Sequence, residues 1–223
     1  MVTKAVKEQG AAAEEAAAPR TKTEKAILDA TRELLADGGV RGLTVEGVAS
    51  KSGVAKTTIY RRWRSRDELA LAVLLDMVAE VAAVPDLGNT RAELESFVNG
   101  AVRILGQSLM GRVMQGLVSE LATNPDLAKS FRERVVAARL VEVGRLVDRG
   151  IERGELRADT DYELAHELLF GPVYYRLLLS GGALDKNVAP RIVDAFLRAF
   201  AGQPTPSRGG AGPRRRPSRS RRS

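Results

Sequence analysis

The chain of 223 residues contains no cysteine. That absence excludes disulfide bonds, thiolate catalysis and cysteine-based zinc sites. No run approaches the ~18 consecutive apolar residues of a membrane-spanning helix, and the first twenty residues lack the apolar core of a signal peptide. These features are compatible with a reducing cytoplasm, so we expect a cytoplasmic protein with no membrane partner.

Aromatic residues make up only 4% of the chain, and no segment of useful length alternates between apolar and polar residues. The apolar 44% is mostly Ala, Leu and Val, which favours helices over sheets. His166 is the only histidine, and Asp161, Glu163 and Glu167 do not converge on it as metal ligands would. We therefore expect a structural role for His166 and predict no metal, no cofactor, no catalytic residues and no enzymatic activity.

The net charge of +7 is concentrated at the two ends of the chain. Residues 204–223 contain seven arginines and no acid, and the other residues balance at 28 bases and 28 acids. Residues 20–70 hold eleven bases against seven acids, whereas 71–203 hold fifteen against eighteen. The tail either adds salt-sensitive phosphate contacts, binds another acidic partner, RNA or a membrane surface, or is a solvated segment with little role.

Helical periodicity extends from residue 23 to residue 200 with regular interruptions. We expect Thr23 and Thr44 to cap the first two helices, and Asn124 and Thr160 to cap two later ones. The pattern predicts an all-α fold of about nine helices, with a small N-terminal module and a larger C-terminal one. The predicted helices cover residues 23–39, 45–52, 56–63, 65–84, 91–109, 112–122, 125–153, 161–180 and 188–200.

The segment from Gly53 to Trp63 places a glycine turn directly before a short helix. One side of that helix carries threonines, a tyrosine and cations, and the other carries Ile59 and Trp63. A helix that enters the major groove must be anchored in a core and must present slim hydrogen-bonding side chains to base edges. A solvated surface helix has similar charges, but the turn, caps and paired hydroxyls together favour a helix-turn-helix that binds DNA.

Residues 25–75 resemble the DNA-binding domain of the tetracycline-repressor (TetR) family of transcriptional regulators. The resemblance rests on Asp37-Gly-Gly, Leu43-Thr-Val, Val48-Ala-x-x-x-Gly-Val, Lys56-Thr-Thr-Ile-Tyr and Arg66-Asp-Glu-Leu. Trp63 stands where relatives usually have phenylalanine, and Arg66 where they usually have lysine. The DNA-binding residues that the resemblance implies are Thr44, Lys56, Thr57, Thr58, Tyr60, Arg61 and Arg66.

The resemblance also implies a homodimer, because one recognition helix reads too few base pairs for useful specificity. In relatives the last two long helices pair between protomers, and apolar stripes suit that role here. Each of these residues is equally typical of the protomer's own core. The predicted interface residues are Leu168, Pro172, Tyr175, Leu179, Ile192, Phe196 and Phe200.

Relatives bind a small-molecule inducer in the middle of the C-terminal module, so the resemblance implies a ligand pocket there. An apolar stripe at helical spacing is also ordinary core, and no residue identifies the inducer. The pocket candidates are Phe97, Leu105, Met110, Met114, Leu117, Phe170 and Tyr174.

The domain organisation that follows has four parts. They are a disordered arm (1–20), a helix-turn-helix domain (21–66), a ligand-binding and dimerisation domain (67–202) and a disordered arginine-rich tail (203–223). We predict a ligand-responsive homodimeric regulator, a repressor released from a palindromic double-stranded operator by a small molecule. The alternative is an architectural protein that binds DNA with little sequence preference through its basic tail.

Overall fold

The computed structural model describes residues 20–79, 86–106 and 108–202. Within these ranges the chain forms nine helices and no strand, with one isolated antiparallel bridge between Leu156 and Ala201. The predicted all-α fold is confirmed. The predicted arm up to residue 19 and the predicted tail from residue 203 lie outside the described residues.

The helices follow the predicted order with small shifts at their ends. The N-terminal module consists of α1 (Lys22–Gly42), α2 (Val45–Ser52), α3 (Lys56–Tyr60) and the first part of α4 (Arg66–Ala79). The C-terminal module adds α5 (Thr90–Gly106), α6 (Leu109–Leu121), α7, α8 (Tyr162–Tyr175) and α9 (Val188–Phe200). Helix α7 comprises Pro125–Phe131, a π-helical turn Arg132–Val136 and Ala137–Glu152, and a second π-helical turn, Arg176–Ser180, extends α8.

Two of the predicted helix caps are wrong by one or two residues. Thr21, not Thr23, begins α1 in a capping box, because its hydroxyl and the Glu24 carboxylate each accept a hydrogen bond from the other residue's backbone N–H. Asp161, not Thr160, caps α8, since the Thr160 hydroxyl donates instead to a backbone carbonyl of the preceding turn. The predicted caps at Thr44 and Asn124 are confirmed.

A buried carboxylate fastens the start of α5 to the end of α7. Glu93 is fully buried, and its two oxygens lie 3.0 Å from Arg149 Nε and 3.1 Å from Arg153 Nη1. Glu155 accepts a hydrogen bond from the backbone N–H of Thr90. The charge of Glu93 is therefore compensated twice, as a buried carboxylate requires.

Helix α6 packs against both α1 and α4, and this contact joins the two modules. Gly39, with φ of 62°, breaks α1 where the Asp37-Gly-Gly sequence predicts its end. The chain then brings Val40 against the backbone of Gly116 in α6, so closely that a Cβ on Gly116 would lie 2.8 Å from the Val40 Cβ. The two helices therefore need a glycine at this position.

We expect Gly116→Ala to destabilise the protein by about 1–3 kcal/mol, because the added methyl group overlaps Val40. Urea unfolding measures the change. Gly100→Ala is the matched control, since nothing lies within 4 Å of its added Cβ and alanine gains up to about 1 kcal/mol over glycine inside a helix. In the double variant Val40→Ala/Gly116→Ala, the cost should be smaller than the sum of the single costs. A fully additive double variant would contradict the proposed overlap.

Candidate nucleic-acid interface

The turn before α3 is set by Gly53, which ends α2 in the left-handed conformation with φ of 69°. Helix α3 is only five residues long, shorter than the predicted 56–63. A helix this short is not stable alone. Ile59 is fully buried and Trp63 is 9% exposed, and the Trp63 N–H bonds the Ile59 carbonyl at 2.9 Å. Ile59 on α3 and Trp63 just after it thus anchor one side of this short helix in the core.

The anchoring leaves a polar surface on the other side of α3. Thr57, Tyr60 and Arg61 are exposed together with Lys56, whereas Thr58 is half-buried. The Thr44 hydroxyl accepts a hydrogen bond from the Gly47 N–H at 3.0 Å, which starts α2. Its own proton is still available to an outside acceptor such as a phosphate oxygen.

Ion pairs divide the cations of this surface into two groups. Lys56 Nζ lies 3.1 Å from Glu46, and Arg62 Nε lies 2.6 Å from Glu24. The pKa of Glu46 is lowered, first by a backbone hydrogen bond at the start of α2 and then by Lys56. Within the described residues the Arg61 side chain has no such partner. Arg61 therefore carries the least compensated charge of the predicted DNA face.

Arg66, the remaining predicted DNA-binding residue, makes its described contacts within the protomer. Its Nη1 donates to the Arg41 carbonyl at 3.3 Å, and its Nη2 lies 3.8 Å from the Glu120 carboxylate of α6. Asp67 lies beside it, and burial raises the pKa of the Asp67 carboxyl against the opposing effect of Arg66. In this structure Arg66 is a residue of the junction between the modules.

The exposed apolar residues of the C-terminal module lie on one side of α8. Of the six large apolar side chains that are exposed in the described part of the chain, four follow this helix at spacings of 4, 7 and 4 residues: Leu164 (44%), Leu168 (41%), Tyr175 (58%) and Leu179 (77%). Pro172 is exposed on the same stretch. The sequence interpretation did not include Leu164, although its spacing from Leu168 places it in the same stripe.

Two of the predicted interface residues on α9 need correction. Ile192 is 8% exposed and Phe196 is 1% exposed, so both belong to the core of their own protomer. Phe200 is half-buried and stacks on Phe196 with a centroid distance of 4.9 Å. Helix α9 turns its apolar stripe inward because α5 and α8 pack against it.

The predicted pocket residues are all part of the hydrophobic core. Phe97, Leu105, Met110, Met114, Leu117 and Phe170 are buried, and Tyr174 is half-buried. The rings of Phe97 and Phe170 meet edge to face at 5.4 Å, and Tyr174 lies 6.2 Å from Phe170. The structure therefore groups three of the predicted aromatic residues where α5 meets α8.

Two residues beside this aromatic group were not predicted to belong to it. His166 lies 5.1 Å from the Phe170 ring, and the Arg139 guanidinium lies 5.9 Å from the centre of the Phe97 ring. Arg139 stands four residues from both Val135 and Val143, which are buried on α7. A charged residue within an apolar helical stripe is the sequence signal that could have identified it.

The described residues contain no helix that is long and apolar enough to cross a membrane. In the same residues, no three His, Cys, Asp or Glu side chains are grouped as metal ligands would be.

Comparisons with known proteins agree with this geometry. Residues 27–73 match the family model "Bacterial regulatory proteins, tetR family", and residues 84–196 match "Tetracyclin repressor-like, C-terminal domain". The uncharacterized HTH-type transcriptional regulator YdeS of Bacillus subtilis is 31% identical over 78% of this chain and 88% of its own. The DNA-binding transcriptional repressor TetR of Mycobacteroides abscessus is 30% identical over 77% and 90%. The solved TetR family transcription regulator SCO0332 aligns with a TM-score of 0.70 and 31% identity over 80% of this chain and 98% of its own.

The pair between Lys56 and Glu46 yields a prediction about binding to random duplex DNA. Glu46→Gln removes a carboxylate next to α3, so we expect several-fold tighter binding to DNA. We also expect affinity to fall more steeply with salt concentration, by the amount that about one additional phosphate contact causes. Fluorescence anisotropy over a salt series measures both quantities. Glu33→Gln is the matched control, because Glu33 is equally exposed at 63% and pairs with Lys51, outside the predicted DNA face. Equal effects of the two substitutions would contradict the prediction.

Proposed function

Because the chain belongs to the tetR family of bacterial regulatory proteins and is a DNA-binding transcriptional regulator, we propose that it is a homodimeric repressor that a small molecule releases from a palindromic operator. The observation that carries the proposal is α3, whose buried Ile59 and Trp63 leave its polar face to solvent. The similarity to a relative named as a repressor supports the direction of the response.

In the proposed complex α3 lies in the major groove. Thr57, Thr58 and Arg61 face the base edges, and Lys56 and Tyr60 bind the flanking phosphates. Thr44 binds a phosphate through the proton that its capping role leaves available. Arg66 acts indirectly in this scheme, by holding the end of α1 against α6.

The proposed dimer forms through the exposed stripe of α8. Spacings of 4, 7 and 4 residues match the seam of two helices that pack side by side at a small angle. Gly171 lies in the middle of the stripe, and apart from its chain neighbours and the backbone of its own helix, no described atom lies within 4 Å of a Cβ added there. A partner helix can therefore approach closely at Gly171 and cover Leu164, Leu168, Tyr175 and Leu179.

Release of the operator is proposed as a population shift between two dimer geometries. The junction between α1, α4 and α6 supplies the coupling, since Val40 packs on Gly116 and Arg66 reaches Glu120. A ligand that displaces α6 changes the position of the N-terminal module and hence the separation of the two α3 helices. An operator complex that tolerates only one separation is then weakened.

Selection from a random duplex pool tests the DNA-binding part of the proposal. We expect a palindrome with half-sites about one helical turn apart, bound about 10³-fold more tightly than random duplex. Thr57→Ala should weaken operator binding about tenfold, whereas Ser50→Ala, an exposed residue of α2 outside the proposed face, should leave it unchanged. A pool that enriches no sequence would instead support the architectural alternative, in which deletion of 204–223 abolishes binding.

Sedimentation analysis tests the proposed dimer. Leu168→Glu should convert the dimer to monomers, because the interface would bury two unpaired carboxylates. Leu87→Glu provides the control, since Leu87 is exposed to a similar extent (45% against 41%) but lies outside α8. Operator affinity should fall with the loss of the dimer. If the Leu168 variant stays dimeric, the interface lies elsewhere.

A further inference from the structure

Arg139 is a half-buried cation of α7 inside the C-terminal module. Burial lowers the pKa of its guanidinium, and the side chain lies over the ring of Phe97. Glu142 is close enough to oppose that shift, but it accepts a hydrogen bond from Arg145 at 2.7 Å. Within the described residues no carboxylate forms an ion pair with Arg139. Burying an uncompensated charge is costly.

Two other arginines, at the end of α7, do have a carboxylate partner. Arg149 and Arg153 bind the buried Glu93 at 3.0 and 3.1 Å, although neither of these arginine side chains is deeply buried. Among the described residues, a carboxylate therefore pairs with the arginines at the end of α7 and none pairs with Arg139, which is half-buried to a similar extent. A structural ion pair does not account for Arg139.

Two further polar groups, His166 and Tyr174 on α8, lie beside the same aromatic rings. His166 Nε2 is buried and has no hydrogen-bond partner within the described residues. Burial is the main cause that raises the pKa of Tyr174 and lowers that of His166. The geometry places His166 and Tyr174 against the ring of Phe170, which meets the Phe97 ring under Arg139. The charge of Arg139 acts to lower the pKa of both groups. At neutral pH Tyr174 and His166 are therefore uncharged and can each donate a hydrogen bond.

We propose that Arg139, His166 and Tyr174 bind the anionic group of a ligand whose remaining body is apolar and packs on Phe97 and Phe170. This proposal rests on the proposed ligand-responsive function and names the chemical class of the ligand. The anionic group is a carboxylate or sulfonate with one negative charge, because Arg139 supplies one positive charge. A cationic ligand is excluded by the same charge.

The physical basis is the difference between charged and uncharged ligands of one shape. An anion that pairs with Arg139 gains a charge-assisted hydrogen bond and offsets the cost of the partly desolvated guanidinium. A neutral ligand of the same shape gains only the apolar contacts with the phenyl rings. The site therefore selects against the neutral analogue through the charge of Arg139.

A pair of fluorescent probes tests the proposal on the full-length protein without DNA. Anilinonaphthalene sulfonate is an anion, and N-phenylnaphthylamine is the same ring system without the sulfonate. We expect the wild type to bind the sulfonate at least about tenfold more tightly than the amine. Arg139→Met should remove this preference while it changes the affinity for the amine less than about twofold.

Three further variants separate binding from folding. Arg103→Met is the matched control, since it removes one exposed arginine from α5 and should leave both affinities unchanged. Arg139→Lys keeps the charge and should retain most of the preference for the sulfonate. His166→Phe keeps an aromatic ring beside Phe170 and should weaken only the binding of the sulfonate probe. Without a probe, the melting temperature of the Arg139→Met variant should be equal to or higher than that of the wild type.

The proposal would be overturned if Arg139→Met left the affinity for the sulfonate unchanged. It would also be overturned if the variant lost affinity for both probes equally. If Arg139→Met does not fold, equal effects of His166→Phe on the two probes would overturn it. Operator binding is measured separately on the selected duplex. An Arg139-dependent preference for the sulfonate with no effect on operator affinity would support this site and contradict the release mechanism.

Discussion

The structure depends above all on the packing of Val40 against the backbone of Gly116. This contact, with Arg66 between the Arg41 carbonyl and Glu120, holds the helix-turn-helix module on the larger helical module. Its tolerance is small, since a single methyl group on Gly116 would overlap Val40. A closely packed contact of this kind transmits displacement instead of absorbing it. The position of α3 therefore depends on α6 as much as on the turn at Gly53.

Helix α3 illustrates how little of a recognition element is stable by itself. Five residues do not form a lasting helix in water, and the conformation of α3 is imposed by Ile59, Trp63 and the turn at Gly53. The polar side chains are thus presented by a rigid core, which lowers the conformational entropy lost when they meet a partner. The tetR-family match over residues 27–73 covers these anchoring residues as well as the polar face.

Charge in the C-terminal module is compensated in one place and left open in another. Glu93 has two arginine partners at the end of α7, whereas Arg139, on the same helix, lies over the ring of Phe97 and pairs with no carboxylate of the described residues. The first arrangement is structural and holds α5 and α7 together. The second costs stability within the protomer, and in the proposed ligand complex an anion offsets this cost.

Periodicity, caps and turn residues are local properties, so the all-α fold, the helix order and the polar face of α3 could be predicted from the sequence. The break of α1 at Gly39 and the bounds of α9 could be predicted for the same reason. The partners of Arg66, the inward orientation of Ile192 and Phe196, and the position of Arg139 beside Phe97 could not. Each depends on which helix packs against which, and apolar stripes at helical spacing are alike in a core and in an interface. The sequence alone determined which helices form and which side chains make up the polar face of α3, and only the tertiary structure decided which apolar faces stay exposed and which half-buried cation has no carboxylate partner among the described residues.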